Sequence, residues 1–164
     1  IEAITSYHGP VYLRFSRNNM ADLTSPSDSF EIGEVYPLRE GSDVTVFSHG
    51  DMLLKVLNLA EELQEEGIGV QVVNVPTIKP LKRERIAELA RKTGAVVTVE
   101  EHSVVGGLGS AIADALRTEK IPVDFVAIND QYGTSGHSHE ELMEFYGLTP
   151  ENIKNTIRNI LKLK

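Results

Sequence analysis

The 164-residue sequence contains no cysteine and no tryptophan. The absence of cysteine excludes disulfide bonds, thiolate metal sites and a cysteine nucleophile. Basic residues are also few, since 16 Lys and Arg face 24 Asp and Glu, and the resulting formal charge of −8 argues against a general nucleic-acid or anionic-membrane surface. No apolar run approaches the roughly 20 residues that cross a bilayer, and no signal peptide is visible. We therefore expect a cytoplasmic protein.

The sequence does contain a regular alternation of strand-like and helix-like segments. Short runs rich in β-branched residues predict buried parallel strands at Val44–Ser48, Val70–Val75, Ala95–Val99 and Val123–Ile128. Apolar residues at helical spacing, together with capping residues, predict helices at 51–66, 82–93, 107–117, 138–147 and 149–161. Right-handed crossovers would place helices on both faces of a mainly parallel sheet. The predicted fold class is therefore α/β, a three-layer α/β/α sandwich with a mostly parallel sheet.

The first 41 residues differ from this pattern. Residues 18–41 are polar and contain Pro26 and Pro37, which predicts a linker that enters the domain through an edge strand near Glu34–Leu38. The β-like run Val11–Phe15 follows Ile1 after one short polar turn. We interpret this run as the end of whatever preceded the domain.

The stretch 95–115 contains the densest group of candidate functional residues. Two carboxylates and a histidine follow a predicted strand, and a glycine-rich turn then leads into a predicted helix. The turn Gly106–Gly109 could cradle an anion with its backbone N–H groups, or its glycines could serve close strand-to-helix packing. Glu100 and Glu101 are neighbours in a strand and point to opposite faces, so they cannot act on one atom together. A structural or interface role is the preferred interpretation for both.

The histidines leave open alternatives. His137 and His139 are two residues apart at a helix start, which is poor spacing for joint ligation, and we predict no metal site. His49 follows the first parallel strand and could touch a substrate or only form a turn. His102 could hydrogen-bond a carboxylate or ligand, or be an ordinary surface histidine.

The polar residues Arg14, Ser16, Arg17 and Asn18 could form an anion-binding site, because a guanidinium group can bind two phosphate oxygens at once. A surface strand with basic flanks explains the same residues equally well.

Several motifs in order resemble the carboxyl-terminal part of transketolase-type, thiamine-diphosphate-dependent enzymes. They are the run from Gly9 to Asn19 (GPVYLRFSRNN), the run from Val97 to His102 (VTVEEH) with the GGLG turn, and the run from Asp130 to Gly136 (DQYGTSG). The last of these looks most like the C-terminal subunit of a split transketolase. The resemblance covers essentially the whole chain.

The resemblance implies a division of the chain and a set of roles. Residues 1–18 would be the terminal remnant of a pyrimidine-binding domain, 19–41 a linker with an edge strand, and 42–164 the C-terminal domain. Ser16 and Arg17 would contact the phosphate of a sugar substrate. His49, Glu101, His102, Gly107 and Gly109 would lie at an interface or at the active-site entrance, and no residue of the chain would be catalytic.

The resemblance also implies a cofactor and partners. Thiamine diphosphate and magnesium would serve the full enzyme, which transfers two-carbon ketol groups between sugar phosphates in pentose phosphate metabolism. The Gly-Asp-Gly cofactor motif is missing here, since His49-Gly50-Asp51-Met52 does not match it. We therefore expect this chain to be inactive alone, to bind no cofactor alone, and to work as a homodimer with an N-terminal subunit or domain.

The sequence is also compatible with two alternatives to a transketolase. The same domain occurs in deoxyxylulose-phosphate synthase and in the beta subunits of 2-oxo-acid dehydrogenases. A non-catalytic binding or regulatory module is the other possibility.

Overall fold

The computed structural model describes residues 1–16, 20–25 and 27–164. In these residues the strands are β1 Tyr36–Arg39, β2 Val44–Ser48, β3 Val70–Asn74, β4 Val96–Ser103 and β5 Val123–Ile128. The helices are α1 Glu2–Thr5, α2 Asp51–Glu65, α3 Arg83–Thr93, α4 Leu108–Ala115, α5 His139–Phe145 and α6 Pro150–Leu161.

The five strands form one sheet in the order β1-β3-β2-β4-β5. Strands β2 to β5 run parallel, and β1 pairs antiparallel with β3 at one edge. The chain passes from β2 to β3 on one side and then crosses to β4 on the other side of β2. The expected mostly parallel sheet and the expected edge strand are both present, and the structure shows that the edge strand is antiparallel.

Two apolar cores, one on each face of the sheet, hold the layers together. On one face α2, α5 and α6 cover valines of β2, β3 and β4. On the other face α3 and α4 pack against Phe47, Val73 and Val96. The strands β2 and β3 are buried on both faces, so apolar residues do not alternate with exposed polar ones, and even their polar residues Thr45, Ser48 and Gln71 are buried. This arrangement is the three-layer α/β/α sandwich predicted from the sequence.

Side-chain caps start the last two helices where the sequence predicts them. The Ser138 hydroxyl accepts a hydrogen bond from the Glu141 N–H at 3.1 Å, and the Thr149 hydroxyl accepts one from the Asn152 N–H at 3.2 Å. Each cap satisfies an N–H group that has no partner inside its helix.

Some boundaries differ from the prediction. Strand β4 continues to Ser103, four residues beyond the predicted end at Val99, because Ser103 still pairs with Ile128 of β5 after an irregularity in the ladder. The sequence does not predict this extension, because the residues after Val99 are polar and break the apolar run. Helix α4 ends at Ala115, before the predicted Arg117.

The β-like run Val11–Phe15 forms no strand within the described residues 1–16. An extended segment becomes a strand only where a neighbouring strand satisfies its backbone groups, and here its Val11, Tyr12, Leu13 and Phe15 side chains are exposed. The assignment of residues 1–18 to a preceding domain stays a prediction. None of the helices in the described parts of the chain is long and apolar enough to cross a membrane.

Candidate functional site at the carboxyl edge of the sheet

The crevice between the carboxyl ends of β2 and β4 is the place where the strand order reverses. Ligands of open α/β sheets bind at such a point, because the loops leaving neighbouring strands diverge there. His49 and Asp51 follow β2, while Glu100 and Glu101 lie in the last half of β4.

Glu100 is buried and caps helix α4. Its carboxylate oxygens accept hydrogen bonds from the Leu108 N–H at 2.7 Å and from the Gly109 N–H at 2.8 Å. A carboxylate in this position satisfies two free N–H groups and complements the positive end of the helix dipole. The anion held by the glycine-rich turn is therefore part of the protein itself.

Gly107 and Gly109 provide the space for this contact. A Cβ atom at Gly107 would lie 2.7 Å from one Glu100 oxygen and still closer to the other, and a Cβ at Gly109 would lie 2.8 Å from the Phe125 ring. Both glycines are buried. Close packing thus explains these two glycines, as one of the two sequence interpretations proposes.

Glu101 points to the opposite face of the sheet, where it meets Asp51 and His139. Ligand atoms of these three half-buried residues all lie within 4.8 Å of one another. The Nε2 atom of His139 is 3.8 Å from the Oδ2 atom of Asp51. Nitrogen and carboxylate donors of this kind suit a divalent transition metal. Sequence spacing could not reveal this group, because its members come from three separate elements.

The segment that precedes the linker is attached beside this group. Both terminal nitrogens of the Arg14 guanidinium donate to the Glu101 carbonyl oxygen at 3.2 Å. The Ser16 hydroxyl donates to the Asp51 carboxylate at 2.9 Å. Arg17 and Asn18, the other members of the predicted anion-binding site, lie outside the described residues.

His49 is half-buried next to a cavity of about 290 Å³. Burial lowers the pKa of His49, the nearby Glu100 carboxylate raises it, and the Arg14 and His102 charges lower it. Arg14 and Asn74 also line the cavity, together with apolar side chains from residues 20–23. The imidazole is thereby held in its neutral form at neutral pH, in which one ring nitrogen accepts a hydrogen bond and the other donates one.

His102 and His137 are exposed. The Nδ1 atom of His102 lies 3.0 Å from the carbonyl oxygen of its neighbour Ser103. His102 is not part of the group formed by Asp51, Glu101 and His139. The His137 backbone N–H donates to Glu141, and His137 is separate from the His139 contacts. The two closely spaced histidines are therefore not brought together as a pair of ligands in the described structure.

Asp51 and the capping role of Glu100 are the features that the sequence interpretation missed. In the sequence, Asp51 attracts notice only within His49-Gly50-Asp51-Met52, which does not match the cofactor motif. Its position as the first residue of α2, directly after a strand end, is the signal that could have identified it.

Comparison with known proteins gives a consistent result. The family model "Transketolase, C-terminal domain" matches residues 33–153. The subunit SqwH of a 6-deoxy-6-sulfo-D-fructose transketolase from Clostridium sp. strain MSTE9 is 41% identical over 162 residues, which are 98% of this chain and 50% of that protein. A 1-deoxy-D-xylulose-5-phosphate synthase from Heliobacterium modesticaldum is 39% identical over 158 residues, or 94% of this chain and 24% of the synthase.

A solved structure described as a split gene transketolase, inactive beta4 tetramer, superimposes with a TM-score of 0.91 at 43% identity. The match covers 99% of this chain and 53% of that one. The chain thus spans about half the length of the subunit-sized relatives that it matches.

Proposed function

The chain belongs to the transketolase C-terminal domain family, and from this premise we propose that it is the C-terminal portion of a thiamine-diphosphate-dependent transketolase. The whole enzyme would move two-carbon ketol groups between sugar phosphates. This portion would serve dimerisation and contact with the substrate phosphate. The observation that supports this role best is the attachment of Arg14 and Ser16 to the carboxyl edge of the sheet, directly before Arg17.

The proposed contribution of the chain to the reaction is binding, without bond making or breaking. Arg17 would hold the sugar phosphate through its guanidinium group, since this group offers paired donors to phosphate oxygens. His49, Glu101 and His102 would line the entrance to the active site or an interface. Gly107 and Gly109 would maintain the turn between β4 and α4 in the same region.

The residues of this chain do not fit the cofactor. A diphosphate needs a row of N–H donors or a bridging cation, and the start of α4 already receives the carboxylate of Glu100. The group of Asp51, Glu101 and His139 includes an imidazole nitrogen, which suits a transition metal, whereas the magnesium that would bridge a diphosphate prefers oxygen ligands; Asp51 also already accepts the Ser16 hydrogen bond. We therefore assign thiamine diphosphate and magnesium to the remainder of the assembly, and propose that the 164-residue chain alone is inactive.

The proposed partners follow from the relatives. A subunit and a beta4 tetramer are among the matched proteins, and this chain would likewise associate with an N-terminal subunit or domain and with a second copy of itself. A cytoplasmic location agrees with this proposal.

A synthase of deoxyxylulose phosphate is the second candidate, because a relative with that activity is almost as similar as the transketolase subunit. The two differ in their substrates, so one assay distinguishes them. A 2-oxo-acid dehydrogenase is less favoured, since it would have no use for the phosphate contact proposed at Arg17.

The proposal is tested by mixing the chain with its N-terminal partner, thiamine diphosphate and magnesium. Ketol transfer between sugar phosphates should require the mixture, and Arg17→Ala should raise the KM of the phosphorylated substrates. Arg117→Ala provides a control, since Arg117 pairs with Asp114 on the surface. Turnover by the chain alone would contradict the proposed division of labour, and condensation of pyruvate with a triose phosphate in place of ketol transfer would favour the synthase.

A further inference from the structure

We propose that Asp51 is a positioning residue that holds Ser16, and with it the phosphate-contacting segment, on the C-terminal domain. This inference rests on the proposed function of Arg17. It assigns Ser16 a different task from Arg17: Ser16 fixes the segment, and Arg17 binds the phosphate.

Two contacts attach the segment on either side of Phe15. The Ser16 hydroxyl donates to Asp51 Oδ2 at 2.9 Å, across 35 positions of sequence. The Arg14 guanidinium donates twice to the Glu101 carbonyl at 3.2 Å, across 87 positions. Asp51 starts α2 and Glu101 lies in β4, so both anchors belong to rigid elements of the sandwich.

These anchors matter because residues 11–16 form no strand in the described structure and their side chains are exposed. A segment without a strand partner keeps its conformational freedom unless specific contacts remove it. The side chain of Asp51 is only 10% exposed, so the acceptor of this hydrogen bond is held in place by the sandwich, while the donor Ser16 lies on the surface.

The direction of the hydrogen bond separates the tasks of Ser16 and Arg17. A serine hydroxyl has one hydrogen, and Ser16 donates it to Asp51. An ionised phosphate oxygen accepts hydrogen bonds, so Ser16 cannot donate to the phosphate and to Asp51 at the same time. Arg17 follows directly and has five N–H donors for this purpose.

The test compares Asp51→Ala, Ser16→Ala and the double variant in the reconstituted holoenzyme. We expect each single variant to raise the KM of a phosphorylated acceptor by about tenfold, since a small displacement of a binding group weakens binding strongly. The kcat and the KM of an unphosphorylated acceptor should stay near the wild-type values. The double variant should be no worse than either single one, because both remove the same contact. Asp51→Asn retains an acceptor oxygen and should restore most of the loss.

Additive effects of the two single variants would overturn the inference, because Ser16 would then act independently of Asp51. Equal losses for phosphorylated and unphosphorylated acceptors would overturn it as well. Asp124→Ala is the matched control, since Asp124 is an exposed aspartate that accepts the N–H of its neighbour Phe125.

Hydrogen exchange of residues 11–16 in the same assemblies gives a readout that needs no substrate. Faster exchange in Asp51→Ala and Ser16→Ala, but not in Asp124→Ala, is expected, and unchanged exchange in all three would refute the anchoring. If the wild-type assembly shows no ketol transfer while exchange responds as expected, the proposed function fails and the anchoring stands.

Discussion

The carboxylate of Glu100 occupies the space that a side chain at residue 107 would need. Glu100 Oε1 lies 2.7 Å from an ideal Cβ position on Gly107, and the Glu100 carboxylate accepts the N–H groups of the two residues that follow Gly107. Strand β4 and helix α4 are thereby joined by a buried contact, and a substituent at Gly107 would have to displace the Glu100 carboxylate.

Replacement of Gly107 by alanine should destabilise the protein by about 1–3 kcal/mol, because the added methyl must displace the Glu100 carboxylate from a packed site. Gly133→Ala is the matched control, since nothing lies within 4 Å of a Cβ at that position. Urea unfolding followed by circular dichroism measures both. Equal midpoints for the two variants would show that the space beside Glu100 can adjust.

Glu100→Gln should cost about 1–3 kcal/mol, because an amide offers one acceptor oxygen where the carboxylate offers two and turns an N–H₂ group toward the start of the helix. The exposed Glu61→Gln on α2 serves as a comparison. Hydrogen exchange should accelerate at the Leu108 and Gly109 amides in the Glu100 variant alone. Retained protection at both amides would mean that α4 starts without this cap.

The sheet and helices could be predicted from the sequence because their signals are local. The β-branched run of β2 and the capping pair Ser138 and Glu141 act within a few residues, and both are found where predicted. The Ser16–Asp51 bond and the meeting of Glu101 with His139 join distant parts of the chain. The order of the strands places Glu101 beside the start of α2, and Ser16 reaches Asp51 only in the folded chain, whereas the sequence predicts the sheet without its strand order.

The role of the glycine-rich turn could be predicted only in part, because it too depends on a contact between separate elements. The sequence indicated either an anion or close packing, and the structure combines both, because the anion is the packed Glu100 side chain. The alternating direction of side chains along a strand correctly predicts that Glu100 and Glu101 lie on opposite faces of the sheet. The depth of burial that makes Glu100 a cap depends on α4 lying over it, which no local pattern reveals.

A buried polar network between β2, β3 and α3 provides another test. Gln71 donates to the Thr45 hydroxyl at 2.7 Å and to the Leu89 carbonyl at 3.1 Å, and the Thr45 and Thr93 hydroxyls are 2.7 Å apart. The side chains of Thr45, Gln71 and Thr93 are all buried.

Thr45→Val should destabilise the protein by about 1–3 kcal/mol, because it removes an acceptor of the Gln71 amide and the partner of Thr93. The double variant Thr45→Val with Gln71→Met should recover part of this loss, since it removes the amide that has lost one of its two acceptors. Denaturant unfolding of the two single variants and the double variant gives the coupling free energy between residues 45 and 71. Strict additivity would show that the two side chains do not depend on each other.

His49 should make stability depend on pH in a defined window. Its pKa in the folded state is lowered from the usual histidine value of 6.5, chiefly by burial, while Glu100 opposes this shift and Arg14 and His102 add to it. The unfolded chain therefore binds more protons than the folded one between the lowered pKa and about 6.5. Stability should be at its full value above that window and should decrease as the pH falls through it.

His49→Gln should reduce this loss, because glutamine does not titrate. Unfolding free energies at about pH 7.5 and about pH 5.5 measure the effect, and this range stays above the region where the carboxylates with lowered pKa values, such as Glu66 and Glu119, become protonated. The exposed His137→Gln controls for the removal of a histidine as such. If the wild type and His49→Gln lose the same free energy over this range, another group causes the pH dependence, and burial of the His49 imidazole has no measurable cost.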